Sequence, residues 1–222
     1  YIELAKANED LCIEMRRELH KIPELELELP KTVAYVKKKL DDFGLSYKEY
    51  VNGNGLSVLI EGSEPGKCLA IRADMDALPV HEETGLEFAS THPGKMHACG
   101  HDSHTAIALT AAKILNENKD KLKGSVKFIF QPGEEIPGGA KPMIDEGVLE
   151  NPKVDFIIGM HGGHLAEIPR GSIAFKENEM MAAMDKFTID VHGKGGHGAS
   201  PHLAIDPIVI SGEILMGLQK II

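Results

Sequence analysis

No run of apolar residues in this 222-residue chain approaches the roughly 20 positions that a helix needs to cross a bilayer. Basic residues are in the minority, with 24 Lys and Arg against 34 Asp and Glu, for a formal net charge of -10. That balance argues against a nucleic-acid surface, which needs a basic patch. Cysteine is scarce. Cys12, Cys68 and Cys99 cannot all pair, and none stands at a disulfide-framework spacing, so a reduced, cytoplasmic setting is expected. Cys12 falls on the apolar face of an N-terminal helix and Cys68 opens a strand, which makes both small core residues. The chain shows no signal-peptide pattern, low-complexity tract or internal repeat. Neither a nucleic acid nor a membrane is therefore the expected partner.

Hydrophobic residues make up 42% of the chain, enough for one large domain with part of a second. Helical periodicity covers residues 3–20 and 30–43, joined by the break HKIPELELELP. Strand-like runs follow at 45–51, 56–62 and 68–74, then a helix from Thr105 to Asn116 and a strand at 125–130. A short helix at 140–146 leads to a strand at 154–160. Strands alternating with helices predict an α/β sheet with covered faces. The texture changes near residues 176–180. Beyond it, DKFTIDVHG (185–193) alternates as a half-exposed strand does, and a helix runs from Asp206 to Ile222. The expected division is a larger domain over 1–178 and a smaller one over 179–222.

MHACGHDSHTA (96–106) packs three histidines, a cysteine and an aspartate into eleven positions. Such side chains are poor core material unless something pairs with them. Three apolar strands also run into polar knots, at Asp74 and Asp76, at Glu134 and Glu135, and at His161 and His164. In open α/β sheets, ligands bind beyond the carboxyl ends of the strands, so these knots are expected to meet. Cys99 and His101, two apart, share a side of an extended segment, and thiolate with imidazole suits zinc-like metals. Glu134 and Glu135 point apart if extended, so one can bind metal while the other activates water. His161 adds a nitrogen, and two metals sharing these ligands polarise a carbonyl. A Cys99 nucleophile with a histidine base and a plain solvated loop stand as alternatives. Asp74 or Asp76 can orient a histidine, and His81, His92 and His164 read as local surface residues. In VHGKGGHGASPH (191–202), His197 stands among glycines that let backbone approach a ligand, and it can donate to an oxyanion.

RRELHKIPEL (16–25), RADMDALP (72–79), GKMHACGHDSHTA (94–106), FQPGEE (130–135) and GKGGHGASPH (193–202) resemble, in this order, the M20 metallopeptidases. The likeness is greatest to their amidohydrolase branch, which includes hippurate, N-acyl-amino-acid and auxin-conjugate hydrolases. The resemblance implies a zinc-peptidase-like mixed sheet flanked by helices, with a smaller α+β ferredoxin-like lid that also serves as a dimer surface. It implies two divalent ions (zinc, manganese, cobalt or nickel) held by Cys99, His101, Glu135 and His161. Glu134 matches the general base, Asp76 a supporting aspartate, and His197 a lid histidine that stabilises the oxyanion. Asp102 and His104 are expected just behind the ligands. The implied reaction is hydrolysis of N-acyl amino acids or small amides by a cytoplasmic homodimer.

Two local departures stand out. Gly133 replaces an alanine, which is expected to loosen the turn before the glutamates, and HGGH (161–164) differs from the usual loop after the third strand. Family chains continue further and supply a last histidine ligand, so the competing expectation is a metal-binding remnant without activity.

Overall fold

Apolar residues at three- and four-residue spacing give the N-terminal helices one buried stripe each. In the computed structural model, which describes residues 1–162, 169, 171–183 and 185–221, the first predicted helix is two. α1 (Ile2–Ala7) and α2 (Glu9–His20) part at Asn8, whose side-chain amide donates to the Leu4 carbonyl at 2.8 Å and competes with the helical ladder. α3 (Pro30–Asp42) opens on proline, where a missing amide costs nothing. Its cap comes from the preceding break: the buried Glu24 carboxylate accepts from the amides of Lys31 (2.9 Å) and Thr32 (2.8 Å).

The sheet contains β1 (Tyr47–Tyr50), β2 (Gly55–Glu61), β3 (Glu64–Asp74), β4 (Lys123–Gln131) and β5 (Phe156–Gly159), in the order β1-β2-β4-β3-β5. β2 runs antiparallel to β1 and β4, whereas β3 is parallel to both β4 and β5. The carboxyl ends of β3, β4 and β5 therefore open along one edge, as the polar knots require. α4 (His101–Glu117) and the short α5 (Lys141–Asp145) make the parallel crossovers. α4 begins four residues before the predicted Thr105. Its first turn is His101, Asp102, Ser103 and His104, polar because it serves the site, so hydrophobic periodicity does not reveal it.

One face of the sheet buries Leu56, Val58, Phe128 and Phe130 against Met15, Leu19, Val36, Leu40 and Leu109 of α2, α3 and α4. Each such side chain contributes roughly 1.5–3 kcal/mol. The other face is thinner, with Tyr50, Ala70 and Ile129 under Met143 and Val148. Lys127 lies buried on this face, and its Nζ donates to the carbonyls of Val148, Glu150 and Pro152 at 3.1, 2.7 and 3.0 Å. These bonds replace the water an ammonium would otherwise lose.

α2 is tied to the start of α4 by a buried ionic cluster. His20 Nδ1 lies 2.6 Å from Asp102 Oδ2 and Nε2 lies 3.2 Å from Glu82 Oε1, while Arg16 Nε reaches the same Asp102 oxygen at 2.8 Å. The Asp102 hydrogen bond outweighs burial and raises the His20 pKa above 6.5. Burial opposes ionisation of Asp102, but His20 and its cationic neighbours lower its pKa below 3.8. The His20 contribution to stability is thus full below pH 6.5 and is lost as pH rises through its elevated value; that of Asp102 is full above 3.8 and is lost as pH falls through its depressed value. In chelator, the urea midpoint of the chain is expected to be higher at pH 6 than at pH 8.5, and His20→Gln to flatten that difference. An undiminished difference in the variant would remove His20 as its cause.

The chain divides into two compact units, Tyr1–Met180 and Met181–Ile222. The second contains α6 (Pro207–Leu218), whose N-cap Asp206 accepts from the Ile208 amide at 2.9 Å. The strand expected at 185–193 is not formed; among the described residues the β pairing of this unit is an isolated bridge between Lys194 and Ile205. Alternation marks a strand's faces, but a strand also needs a neighbour to complete its ladder. No described helix is long and apolar enough to cross a membrane.

Candidate metal centre

Asp76, just past the end of β3, organises the site from beneath. Its buried carboxylate accepts from the Glu134 amide at 2.9 Å and from the Glu135 amide at 3.0 Å. The two glutamates thus sit in an anchored turn, not in extended chain, and both side chains turn to the same place: Glu134 Oε2 lies 3.8 Å and Glu135 Oε1 3.7 Å from His101 Nε2. They would point apart only in extended chain; here the turn, not strand pleat, orients them. The position of Gly133 in this turn favours glycine. It adopts φ +69°, and a Cβ there would lie 2.6 Å from Leu27 Cδ2.

Gly100 makes a similar correction. With φ +86° it is the left-handed N-cap of α4, so Cys99 precedes a sharp bend and His101 is the first helical residue. Both side chains still enter one site, by that bend and not by extension.

The hydrogen bonds fix which atoms face the centre. His101 Nδ1 donates to the Asp76 carbonyl at 2.8 Å, so the Nε2 lone pair points inward, buried and with no hydrogen-bond partner. His161 Nδ1 donates to the Gly162 carbonyl at 2.7 Å, and its Nε2 lies 3.2 Å from Cys99 Sγ. Glu135 Oε1 is also buried and unpartnered. Two ligands on one tetrahedral ion, with bonds of about 2.0–2.3 Å, stand about 3.3–3.8 Å apart, close to the 3.2, 3.7 and 3.8 Å separations here. Among the described residues, Cys99–His101–His161, His101–Glu134–Glu135 and Asp74–His101–His104 each place ligand atoms within 4.8 Å of one another.

The electrostatics ask for a cation. Burial, then Glu135, Glu134 and Asp74, push the Cys99 thiol up to about 12. Burial alone would lower the His101 pKa, but the carboxylates around it raise it. A divalent cation reverses both penalties, because it ionises a coordinating thiol and takes the place of the imidazole proton. The donor set therefore fits a metal.

Of the predicted residues, the structure gathers Cys99 and His161 on one side of His101 and Glu134 and Glu135 on another, with Asp76 bonded to the amides of both glutamates. Asp102 turns away to α2, and His104 faces the site. His81 is exposed; His92 is half-buried and tied to the Pro23 carbonyl at 3.1 Å, a long-range contact and not the local surface role expected of it; His164 lies outside the described residues. His197 belongs to the second unit, where its Nδ1 accepts from the Ala199 amide at 3.1 Å. That bond leaves the ring proton on Nε2. Sequence reasoning missed the roles of His20, Arg16 and Glu82, whose partners lie up to 82 residues away and leave no spacing signal. It also passed over His97, which is buried with neither ring nitrogen bonded, and which burial pushes down to about 4.

A family model described as Peptidase family M20/M25/M40 matches residues 70–211, more than half of the chain and all of the donors above. The chain belongs to this peptidase family. The M20 chain is 48% identical over 217 residues to thermostable carboxypeptidase 1 of Saccharolobus solfataricus, covering 96% of this chain and 54% of that protein. It is 44% identical over 211 residues to the N-acyl-L-amino acid amidohydrolase of Geobacillus stearothermophilus, covering 95% and 56%. Among solved structures, the YXEP protein of Bacillus subtilis, described as a dinuclear metal binding peptidase from the M20 family, is 43% identical. It superposes with a TM-score of 0.67 over 71% of this chain and 44% of that one. The M20 chain spans about half the length of the curated relatives it matches. With the donor groups above, this kinship supports a pair of divalent ions as the cofactor.

Proposed function

We propose that this site belongs to a metal-dependent amidohydrolase that cleaves N-acyl amino acids or related small amides into a carboxylate and a free amine. The observation that carries the reading is the buried, unpartnered Nε2 of His101, set among Cys99, His161, Glu134 and Glu135. Cys99, His101, Glu135 and His161 would hold two divalent ions. When bound, such ions act as Lewis acids on the amide carbonyl and make water a nucleophile at neutral pH. Glu134 takes the proton of the attacking water and passes it to the departing amine. Asp76 holds Glu134 and Glu135 in place through their amides. His197, with its proton on Nε2, donates to the developing oxyanion. Residues 179–222 form part of a lid that also carries a dimer surface, and the protein works as a cytoplasmic homodimer. The three unpaired cysteines are consistent with that compartment.

The Cys99–His161 contact of 3.2 Å has the geometry of a thiol–imidazole pair. A nucleophile needs a lowered pKa, and burial with the surrounding carboxylates moves this thiol the other way, to about 12. The metal reading is therefore preferred. Elemental analysis of protein purified without chelator or added metal is expected to give about two ions per chain, lost in Cys99→Ala, together with release of free amine from N-acetyl amino acids. A folded chain without metal would overturn this reading; hydrolysis that persists without metal and stops on alkylation would put Cys99 in its place.

A further inference from the structure

His104 has no part in the proposed chemistry, yet it is buried in the wall of the site and fully bonded. Its Nε2 lies 2.7 Å from the Gly162 amide nitrogen. A backbone N–H only donates, so Nε2 accepts and the ring proton sits on Nδ1. Nδ1 then donates to Asp74 Oδ1 at 2.6 Å. The other Asp74 oxygen accepts from Arg72 Nη1 at 2.6 Å, and the Asp74 carbonyl accepts from Thr105 Oγ1 at 2.9 Å. A chain of hydrogen bonds thus runs from β3 through the first turn of α4 to the backbone just after β5. The ring of His104 also packs edge-to-face on that of His161, with centroids 4.8 Å apart.

His161 needs such a support. It follows the edge strand β5, whose Phe156, Ile157 and Ile158 are each more than half exposed. Its own Nδ1 bond goes to the adjoining Gly162 carbonyl, which moves with it. Cys99, His101, Glu134 and Glu135 are held by α4 and by Asp76; Gly162 joins the His161 segment to the same frame through His104.

We propose that Asp74 and His104 form a positioning pair that holds His161 in the metal site, acting through the Gly162 amide and the face of the His161 ring. The proposal rests on the metal reading above for its purpose, but the holding contact is a property of the metal-free chain. Asparagine places a polar atom near Nδ1 and cannot reach Gly162, whereas glutamine places an acceptor near Nε2. The two substitutions therefore separate the two ends of the pair.

Two measurements test it. In metal-free protein, hydrogen exchange of the Gly162 amide is expected to be slow, to speed up in His104→Asn, and to stay slow in His104→Gln. In a cobalt titration followed by the Cys99 thiolate-to-metal absorption, His104→Asn is expected to weaken binding about 10–100-fold. His104→Gln is expected to recover most of that loss. In a His161→Ala background the same His104→Asn change is expected to alter affinity less than about twofold, because the residue it acts through is gone. Equal losses in both backgrounds would show a merely structural role and overturn the proposal, as would no loss in either. A protected Gly162 amide in a chain that binds no cobalt would overturn the metal reading and the purpose assigned to the pair, while retaining the contact.

Discussion

Glu134→Gln is expected to lower amide hydrolysis by about 10²–10⁴-fold while leaving the metal content unchanged, the size of effect that general-base catalysis contributes. Glu135→Gln is expected to do the reverse first, losing metal and activity together. Distance does not separate the two roles, since their nearest oxygens stand 3.8 and 3.7 Å from His101 Nε2. Satisfaction does. Glu135 Oε1 is buried without a hydrogen-bond partner, a cost of about 1–3 kcal/mol that a cation beside it would offset. Glu134 is the more exposed of the two, at 28% against 22%. Turnover of an N-acetyl amino acid set beside elemental analysis distinguishes them. A Glu134→Gln chain that loses its metal, with a Glu135→Gln chain that keeps it, would exchange the assignments.

The site was more legible in the sequence than the route by which it is built. Donor identities are local: a cysteine, a histidine and two glutamates at the ends of apolar runs mark themselves by being out of place. The α/β sheet was legible because strands alternate with helices along the chain. What sequence could not give was backbone direction at the ends. Cys99 and His101 looked like extended neighbours, yet Gly100 at φ +86° makes them the corner of a helix. The glutamates looked divergent, yet two amides bonded to Asp76 make them convergent. In both cases the deciding interaction is a left-handed glycine or a carboxylate more than twenty residues away. The His20 cluster was illegible for the same reason, and the strand expected at 185–193 shows the converse error, a local pattern without a partner to complete it.

Asp76→Asn is expected to disable the site almost as thoroughly as loss of a ligand, although Asp76 points at backbone and not into the gap. One carboxylate accepts two amides, at 2.9 and 3.0 Å, in a place with no exposure to solvent. An asparagine has one oxygen for two donors and turns its own NH₂ against the second. A buried amide is then left unpaired, at about 1–3 kcal/mol. The turn relaxes to relieve it, and Glu134 and Glu135 move together, so base and ligand fail at once. The expected readings are a lower urea midpoint, metal affinity reduced about 10–100-fold, and activity below detection even at saturating metal. Glu134→Gln at saturating metal keeps its ions; Asp76→Asn does not recover function however much metal is added, because geometry and not occupancy is lost. Full rescue by excess metal would mean that Asp76 tunes affinity alone, and that the turn bearing Glu134 and Glu135 holds its shape without it.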